Sequence, residues 1–177
     1  LACILVINLY TIAFPYIPAL GYWWHSRDGD APVSVATYIQ KSKTPATPDT
    51  ATGNRIIIPR MQLDTPILEA PTSDSYNVLK AGVWHLPFST DPTEDGNMVV
   101  AAHRFSYTGP RGLFYFLDKL QTGDEIGVQW EGQLYRYKVV SSRTVAPTEV
   151  RVQQPTDDTR LTLYTCTPLY NPVNRLV

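Results

Sequence analysis

The sequence predicts a mainly β domain, a closed or nearly closed barrel of about eight short strands with small helices between them. Three observations support this fold class. Aromatic and β-branched residues are concentrated in the second half of the chain. Pro and Gly recur between the apolar runs as turn signals. The 177 residues are enough for one hydrophobic core, and an N-terminal apolar run predicts a helix that precedes the domain.

The individual elements follow from local patterns of apolar residues. Strands are predicted for RIIIPRMQ and TPILEA, with a turn at Leu63-Asp64, and then for VWHLP, MVVAAH and RLTLYTC. EIGVQW and QLYRYKVVSSRTV form a predicted hairpin across Glu131-Gly132, and RLV begins a last strand. Short helices are predicted for VSVATYIQ, SDSYNVLKAG and GLFYFLDKL.

Three regions differ in composition. Residues 1–24 contain no charged side chain and are long enough to span a bilayer core of about 30 Å, so they predict a membrane anchor. A buried hydrophobic helix or a cleaved signal peptide are the alternatives, and Pro15 and Pro18 weaken the case for a regular helix. Residues 25–53 form a Ser/Thr/Pro-rich linker. Residues 54–177 form the folded domain, whose final strand is expected to be truncated.

Charge and cysteine content narrow the range of possible functions. The 15 Lys and Arg nearly balance the 16 Asp and Glu, and no basic cluster stands out, which argues against a nucleic-acid partner. Cys3 lies in the apolar run and Cys166 near the other end, so we expect no disulfide between them. An unpaired thiol in a domain outside the cell would oxidise, and one explanation for Cys166 is that its thiol is used.

Three candidate catalytic residues lie at predicted strand boundaries. Cys166 follows TLYT, His103 closes MVVAAH, and Arg175 lies in NPVNRLV. Each alone has an ordinary structural interpretation: an inert buried thiol, a structural histidine, a surface arginine. In a barrel, however, neighbouring strand ends can meet at one groove. A Cys beside a His is an activated nucleophile, and an Arg can stabilise developing negative charge.

These motifs resemble those of the sortase family. TLYTC is similar to the TLxTC signature, AAHRF to the histidine motif, and NPVNRLV to the strand that bears the catalytic arginine. GVWHLP and HRFSYTGPRGLFYFLDKLQTGDEI resemble the regions around the histidine in many members. Ala102 replaces a frequent Gly before the histidine. The resemblance covers about residues 54–177, and it is closer to classes C, D and E than to class A.

The resemblance implies a sortase β-barrel and a membrane-anchored cysteine transpeptidase, single-pass, with its catalytic domain outside the cell. Such enzymes cleave an LPxTG-like sorting signal of surface proteins or pilins between Thr and Gly. They transfer the acyl group to an amine of a cell-wall precursor or a pilin lysine. Carried over by position, Cys166 is the nucleophile, His103 the general acid/base, and Arg175 the clamp on the substrate carbonyl and oxyanion.

The segment from Thr144 to Asp158 is the expected substrate-recognition wall, because it leads into the strand that carries Cys166. The candidate substrate-binding residues are Thr165, Val145, Ala146, Pro147 and Asn174.

No cofactor is expected to be required, and no metal ligand is assigned. Asp91, Glu94 and Asp95 are interpreted as a solvated turn, although some sortases bind Ca²⁺ in a comparable loop, with Glu149 in a second one. Hard cations need more oxygen ligands than this sequence guarantees. His85 is assigned a structural role.

Two other interpretations compete with a sortase. Other cysteine enzymes fit poorly: a papain-like peptidase carries its Cys near the start of the domain on a helix, and an L,D-transpeptidase has a Ser-His-Gly-Cys block. Neither pattern occurs in this chain. The second is a non-enzymatic, membrane-anchored binding module in which Cys166 belongs to the core.

Overall fold

One mixed sheet of nine strands makes up most of the structure, a computed structural model that describes residues 8–10, 20–22, 34–41, 53–105, 112–169 and 171–177. The strands are β1 (Arg55–Ile58), β2 (Leu63–Glu69), β3 (Val83–His85), β4 (Asn97–Ala101), β5 (Glu125–Trp130), β6 (Gln133–Lys138), β7 (Thr144–Val145), β8 (Arg160–Thr167) and β9 (Asn174–Leu176). Their order is β6-β5-β1-β2-β3-β4-β8-β9-β7. Neighbours are antiparallel except β2 with β3 and β4 with β8, which are parallel.

Short helices lie between these strands. Helix α1 spans Val35–Lys41 and α2 spans Ser75–Ala81, where VSVATYIQ and SDSYNVLKAG predicted them. Residues 8–10 and 20–22 are also helical. Within the described ranges, 3-10 turns occupy Pro59–Met61, Thr72–Asp74, Leu117–Lys119 and Val150–Gln153.

The mainly β prediction is confirmed, but the described residues form nine strands where about eight were expected. The difference arises in QLYRYKVVSSRTV, which was predicted as one strand. It forms β6, which pairs with β5, and β7, which pairs with β9 at the opposite edge of the sheet. A two-residue strand is too short to show the alternation that identifies strands in a sequence.

Two other segments differ from the local prediction. The run RIIIPRMQ is a strand only as far as Ile58, because Pro59 begins a 3-10 turn, and β2 starts at Leu63. GLFYFLDKL contains turns and one 3-10 helix, although its spacing predicted an α-helix. Its amide at Phe114 donates to the carbonyl of His103, 3.0 Å away, so the backbone here supports a loop.

The sheet curls around one large cluster of apolar side chains, here called the core cluster. Every strand from β1 to β5 contributes to it, as do β8 and β9. Its buried members are Ile56, Ile58, Met61, Ile67, Val83, Met98, Val100, Ala102, Phe114, Phe116, Leu117, Ile126, Val128, Trp130, Leu163 and Leu176. Among the described residues no pairing joins the edge strands β6 and β7, so the sheet is an open half-barrel.

A smaller group of buried side chains lies on the opposite face of β4 and is here called the outer cluster. It consists of Val78, Trp84, Leu86, Val99 and Ala101. Val78 comes from α2, so this helix covers that face of the sheet.

Most of the predicted anchor and linker lies outside the described residues. In the ranges that the structure describes, no helix is long and apolar enough to cross a membrane. Tyr22, near the end of the uncharged run, stacks on Phe116 of the domain with a centroid distance of 4.5 Å. Within the predicted linker, α1 docks on β5: Val35 is fully buried, and its amide donates to the carboxylate of Glu125 at 3.0 Å.

Candidate active site

Cys166 and Arg175 occupy directly opposed positions on adjacent strands. In the antiparallel pair of β8 and β9, Cys166 is the register partner of Arg175. Side chains of opposed residues lie on the same face of a sheet, with Cβ atoms about 5 Å apart. Both residues are partly exposed. The structure therefore places the predicted nucleophile and the predicted clamp side by side.

His103 lies on the other side of β8 from Arg175. The three residues His103, Cys166 and Arg175 therefore form a row, here called the row. The parallel ladder of β4 and β8 pairs Ala101 with Tyr164, and the amide of Ala102 still donates to the carbonyl of Tyr164 at 3.3 Å. Extending this register by two residues along both segments places His103 level with Cys166. Adjacent strands lie about 4.8 Å apart, so the three residues span roughly 10 Å.

The alternation of side chains shows which face the row occupies. Along β4, Val100 and Ala102 belong to the core cluster, whereas Val99 and Ala101 belong to the outer cluster. On β8, Tyr164 packs against the outer cluster. Cys166 and His103 are each two residues beyond a member of the outer face, so both belong to that face. The thiol and the imidazole thus share the face that α2 covers farther along the strands.

The positive charge of Arg175 is available to interact with a substrate. Its Nη1 donates to the carbonyl oxygen of the preceding Asn174 at 3.0 Å. Across the described ranges, no carboxylate forms an ion pair with it. A guanidinium that is anchored through one nitrogen and not neutralised can donate to a developing oxyanion from its remaining nitrogens.

The chain matches a family model described as a sortase domain over residues 56–177. The chain belongs to the sortase family. With this, the expectation of a cysteine transpeptidase fold is confirmed at the level of the family. A comparison with curated protein sequences found no match.

Several solved sortases are similar to this sortase domain. Sortase C1 of GBS Pilus Island 1 is 30% identical over 71% of this chain and 61% of its own, with a TM-score of 0.62. Sortase C of Streptococcus pneumoniae is 28% identical over 69% and 61%, with a TM-score of 0.61. A lid mutant of sortase A from Corynebacterium diphtheriae is 25% identical over 77% and 69%, with a TM-score of 0.62. The chain thus spans about three fifths of the first two.

The predicted substrate-binding residues of the sortase lie around the row. Val145 on β7 is opposite Arg175 and shares its face. Asn174 on β9 is opposite Thr167, so its side chain lies on the face opposite that of Cys166. Ala146 and Pro147 follow β7 and are exposed.

Thr165 differs from these candidates in being buried. Its side chain is only 2% exposed, and its hydroxyl donates to the carbonyl of Ala102 at 2.7 Å. The hydroxyl of Thr165 is therefore used inside the protein, between β8 and the end of β4.

Three of the four acidic residues considered for calcium have polar partners within the protein. Asp91 accepts from the amide of Thr93 and Asp95 from the hydroxyl of Thr159. The hydrogen bond and the charge of Arg151 lower the pKa of Glu149. In the described part of the chain, no three acidic, His or Cys side chains are close enough to hold a metal ion.

His85 has two polar neighbours in the interior. It is 6% exposed, with Nε2 3.0 Å from the carbonyl of Thr90 and Nδ1 3.4 Å from the carboxylate of Glu69. Its ring also packs edge-on against Trp130. These contacts agree with a structural role.

Two residues that support the site were not singled out from the sequence. Gly112 approaches the histidine loop so closely that a Cβ there would overlap the carbonyl oxygen of His103. Arg104 follows His103 and so points to the opposite face, where its guanidinium bonds Thr167. The signal for Arg104 was present, because an Arg that alternates toward a core needs buried partners.

Proposed function

We propose that this sortase is a membrane-anchored transpeptidase of the pilin type. It cleaves an LPxTG-like sorting signal between Thr and Gly and transfers the acyl group to an amine, with a pilin lysine as the favoured acceptor over a cell-wall precursor. Two similar solved proteins support this preference, one a sortase of a pilus island and the other a sortase with a pilin substrate. The observation that carries the proposal is the row formed by Cys166 on β8, Arg175 opposite it on β9, and His103 two residues after the end of β4.

The first half-reaction forms an acyl-enzyme. The thiolate of Cys166 attacks the carbonyl carbon of the substrate Thr, a C–S bond forms, and the carbonyl electron pair moves to oxygen. Arg175, opposite Cys166, donates to that oxygen. The C–N bond to Gly then breaks, and His103 gives its proton to the leaving amine.

The second half-reaction reverses the roles around the thioester. The incoming amine attacks the thioester carbonyl, and His103 takes the proton that the amine loses. The C–S bond breaks, the thiolate of Cys166 is restored, and an amide bond remains. No electron transfer occurs, so no cofactor is required for this chemistry.

Substrate recognition is assigned to the surface beside the row. Val145, Ala146 and Pro147 are partly or fully exposed and lie at the end of β7 or just after it, next to the strand that carries Arg175. The sorting signal would lie against this wall with its scissile carbonyl between Cys166 and Arg175.

Anchoring is assigned to the uncharged run of residues 1–24, with the catalytic domain on the outer side of the membrane. Flotation with phospholipid vesicles tests this. The full chain should float with the vesicles and resist extraction at high salt. The substitutions Leu5→Lys and Ile7→Lys place two charges in the run and should release the protein. Retention of the charged variant on vesicles would contradict the anchor.

Mass spectrometry of the full chain in detergent tests the activity. The protein is mixed with LPxTG-like peptides and either a lysine-bearing pilin peptide or a glycine-type amine. The expected product joins the fragment that ends in Thr to the lysine side chain. The variant Cys166→Ala is the matched control and should give neither acyl-enzyme nor product.

If the protein is instead a non-enzymatic binding module, the expected outcome is different. No peptide would be cleaved, and the thiol of Cys166 would resist a methanethiosulfonate reagent, as a core thiol does. Rapid labelling of Cys166 together with peptide transfer supports the transpeptidase.

A further inference from the structure

The guanidinium of Arg104 is held by two separate parts of the chain, the end of β8 and the segment that contains Tyr115 and Asp118. Its Nη1 donates to the hydroxyl of Thr167 at 2.8 Å, and its Nη2 forms an ion pair with Asp118 at 2.9 Å. Its Nε donates to the carbonyl of Tyr115 at 3.4 Å. The side chain is 11% exposed. All three nitrogens of this one side chain are therefore used beneath the row of candidate catalytic residues.

The parallel register explains why this contact matters for the site. His103 is level with Cys166, and one residue further along, Arg104 is level with Thr167. The side chains of Arg104 and Thr167 point to the face opposite that of His103 and Cys166. A hydrogen bond between them therefore fixes the level of the histidine relative to the nucleophile without occupying the substrate side.

A second hydrogen bond joins the residues that immediately precede Cys166 and His103 in the sequence. The hydroxyl of Thr165 donates to the carbonyl of Ala102 at 2.7 Å. The pair of His103 and Cys166 is thus held from the core side by one bond before it and one after it. The regular ladder of β4 ends at Ala101, so these side chains continue the pairing of β4 and β8 where the backbone no longer does.

The charge of Arg104 is compensated, which separates its role from that of Arg175. Asp118 accepts from Arg104 and is itself 34% exposed, whereas Arg175 has no carboxylate partner in the described ranges. A Lys at position 104 would keep the charge, but one ammonium cannot reach a hydroxyl, a carboxylate and a carbonyl in three directions as a planar guanidinium does.

We propose that Arg104 is a positioning residue that holds His103 level with Cys166 through Thr167. This rests on the proposed function. Its consequence is specific: loss of the bond should slow both proton transfers by His103 and leave substrate binding at the β7 and β9 wall nearly intact. A displacement of about 1 Å in such a site can cost about a hundredfold in rate.

The test compares Arg104→Lys and Thr167→Val with a matched control, Arg60→Lys. Arg60 also forms a buried ion pair, with Asp124 at 2.8 Å, and the two side chains are 9% and 2% exposed. It lies in the 3-10 turn after β1, a strand that is not a neighbour of β4, β8 or β9 in the sheet. All three variants should lower thermal stability. Only the first two should lower kcat for peptide transfer, by about ten- to a hundredfold, with KM changed less than threefold.

The second measurement is the pH dependence of alkylation of Cys166, which requires no peptide substrate. The profile of Arg104→Lys and of Thr167→Val should differ from that of the wild type, because the position of His103 relative to Cys166 changes, while Arg60→Lys keeps the wild-type curve. If wild-type protein transfers no peptide, the proposed function fails, yet this comparison still tests Arg104. Wild-type profiles and kcat in both variants would overturn the positioning role. If Arg104→Lys does not fold, Thr167→Val alone decides.

Discussion

The substitution Arg175→Lys tests the clamp role of Arg175 separately from the acid/base role of His103. Arg175 is opposite Cys166 in the β8–β9 ladder, and its Nη1 already donates to the carbonyl of Asn174 at 3.0 Å. The other nitrogens of the planar fork can then donate to an oxyanion. A Lys ammonium has one position, so it either keeps the contact with Asn174 or reaches the substrate.

The expected cost follows from that geometry. Arg175→Lys removes one oxyanion donor, which is worth about 3–4 kcal/mol in comparable sites, or about a hundred- to a thousandfold in the acylation rate. Alkylation of Cys166 by a small reagent forms no tetrahedral oxyanion. Its rate should therefore change far less than the acylation rate.

His103→Ala provides the contrast. It should stop turnover and also alter the pH profile of alkylation, because the thiolate loses its imidazolium partner. The assay is a pair of pH–rate curves for each variant, one for peptide acylation and one for alkylation. If Arg175→Lys acylates at the wild-type rate, the clamp assignment is wrong, whatever the result for His103→Ala.

Three further predictions follow from single contacts. Cys166→Ala should abolish acyl-enzyme formation in mass spectra with an unchanged circular dichroism spectrum, and Cys3→Ala should have no effect on either measurement. Gly112→Ala should lower kcat severalfold or more, because the added Cβ displaces the His103 carbonyl; an unchanged kcat would show that the loop adjusts without cost. Among the described residues, the hydroxyl of Tyr137 is buried without a hydrogen-bond partner, and burial raises its pKa above the ordinary value of 10.0. Tyr137→Phe should therefore raise the free energy of unfolding by about 1 kcal/mol in urea titrations. The difference should grow above about pH 10, where the unfolded wild-type chain releases the proton before the folded chain does; a loss of stability in this variant would contradict the account.

Local sequence patterns predicted the parts of the molecule whose cause is local. The strand RLTLYTC is β8, and the alternation in MVVAAH places its residues on two faces, as β4 does. Helix α2 lies within SDSYNVLKAG, and α1 docks within the polar linker where VSVATYIQ predicted it. The motifs around Cys166, His103 and Arg175 also carried the family resemblance, because short chemical signatures are visible without a fold.

The features that local patterns did not predict depend on contacts between distant segments of the chain. GLFYFLDKL has helical spacing but forms turns, since an isolated helix of this length is marginal and the burial of Phe114 and Phe116 in the core cluster outweighs it. The separation of β7 from β6 was not visible either, because β7 exists only through its pairing with β9.

The sequence by itself determined which residues could perform the chemistry, and the tertiary structure decided how they are held. The parallel pairing of β4 with β8 joins segments about sixty residues apart, and it sets both the level of His103 beside Cys166 and the contact of Arg104 with Thr167. No local pattern specifies that register, because it is selected by the burial of whole faces of two distant strands. A side chain such as Arg104 acquires its role only when its partners arrive from elsewhere in the chain.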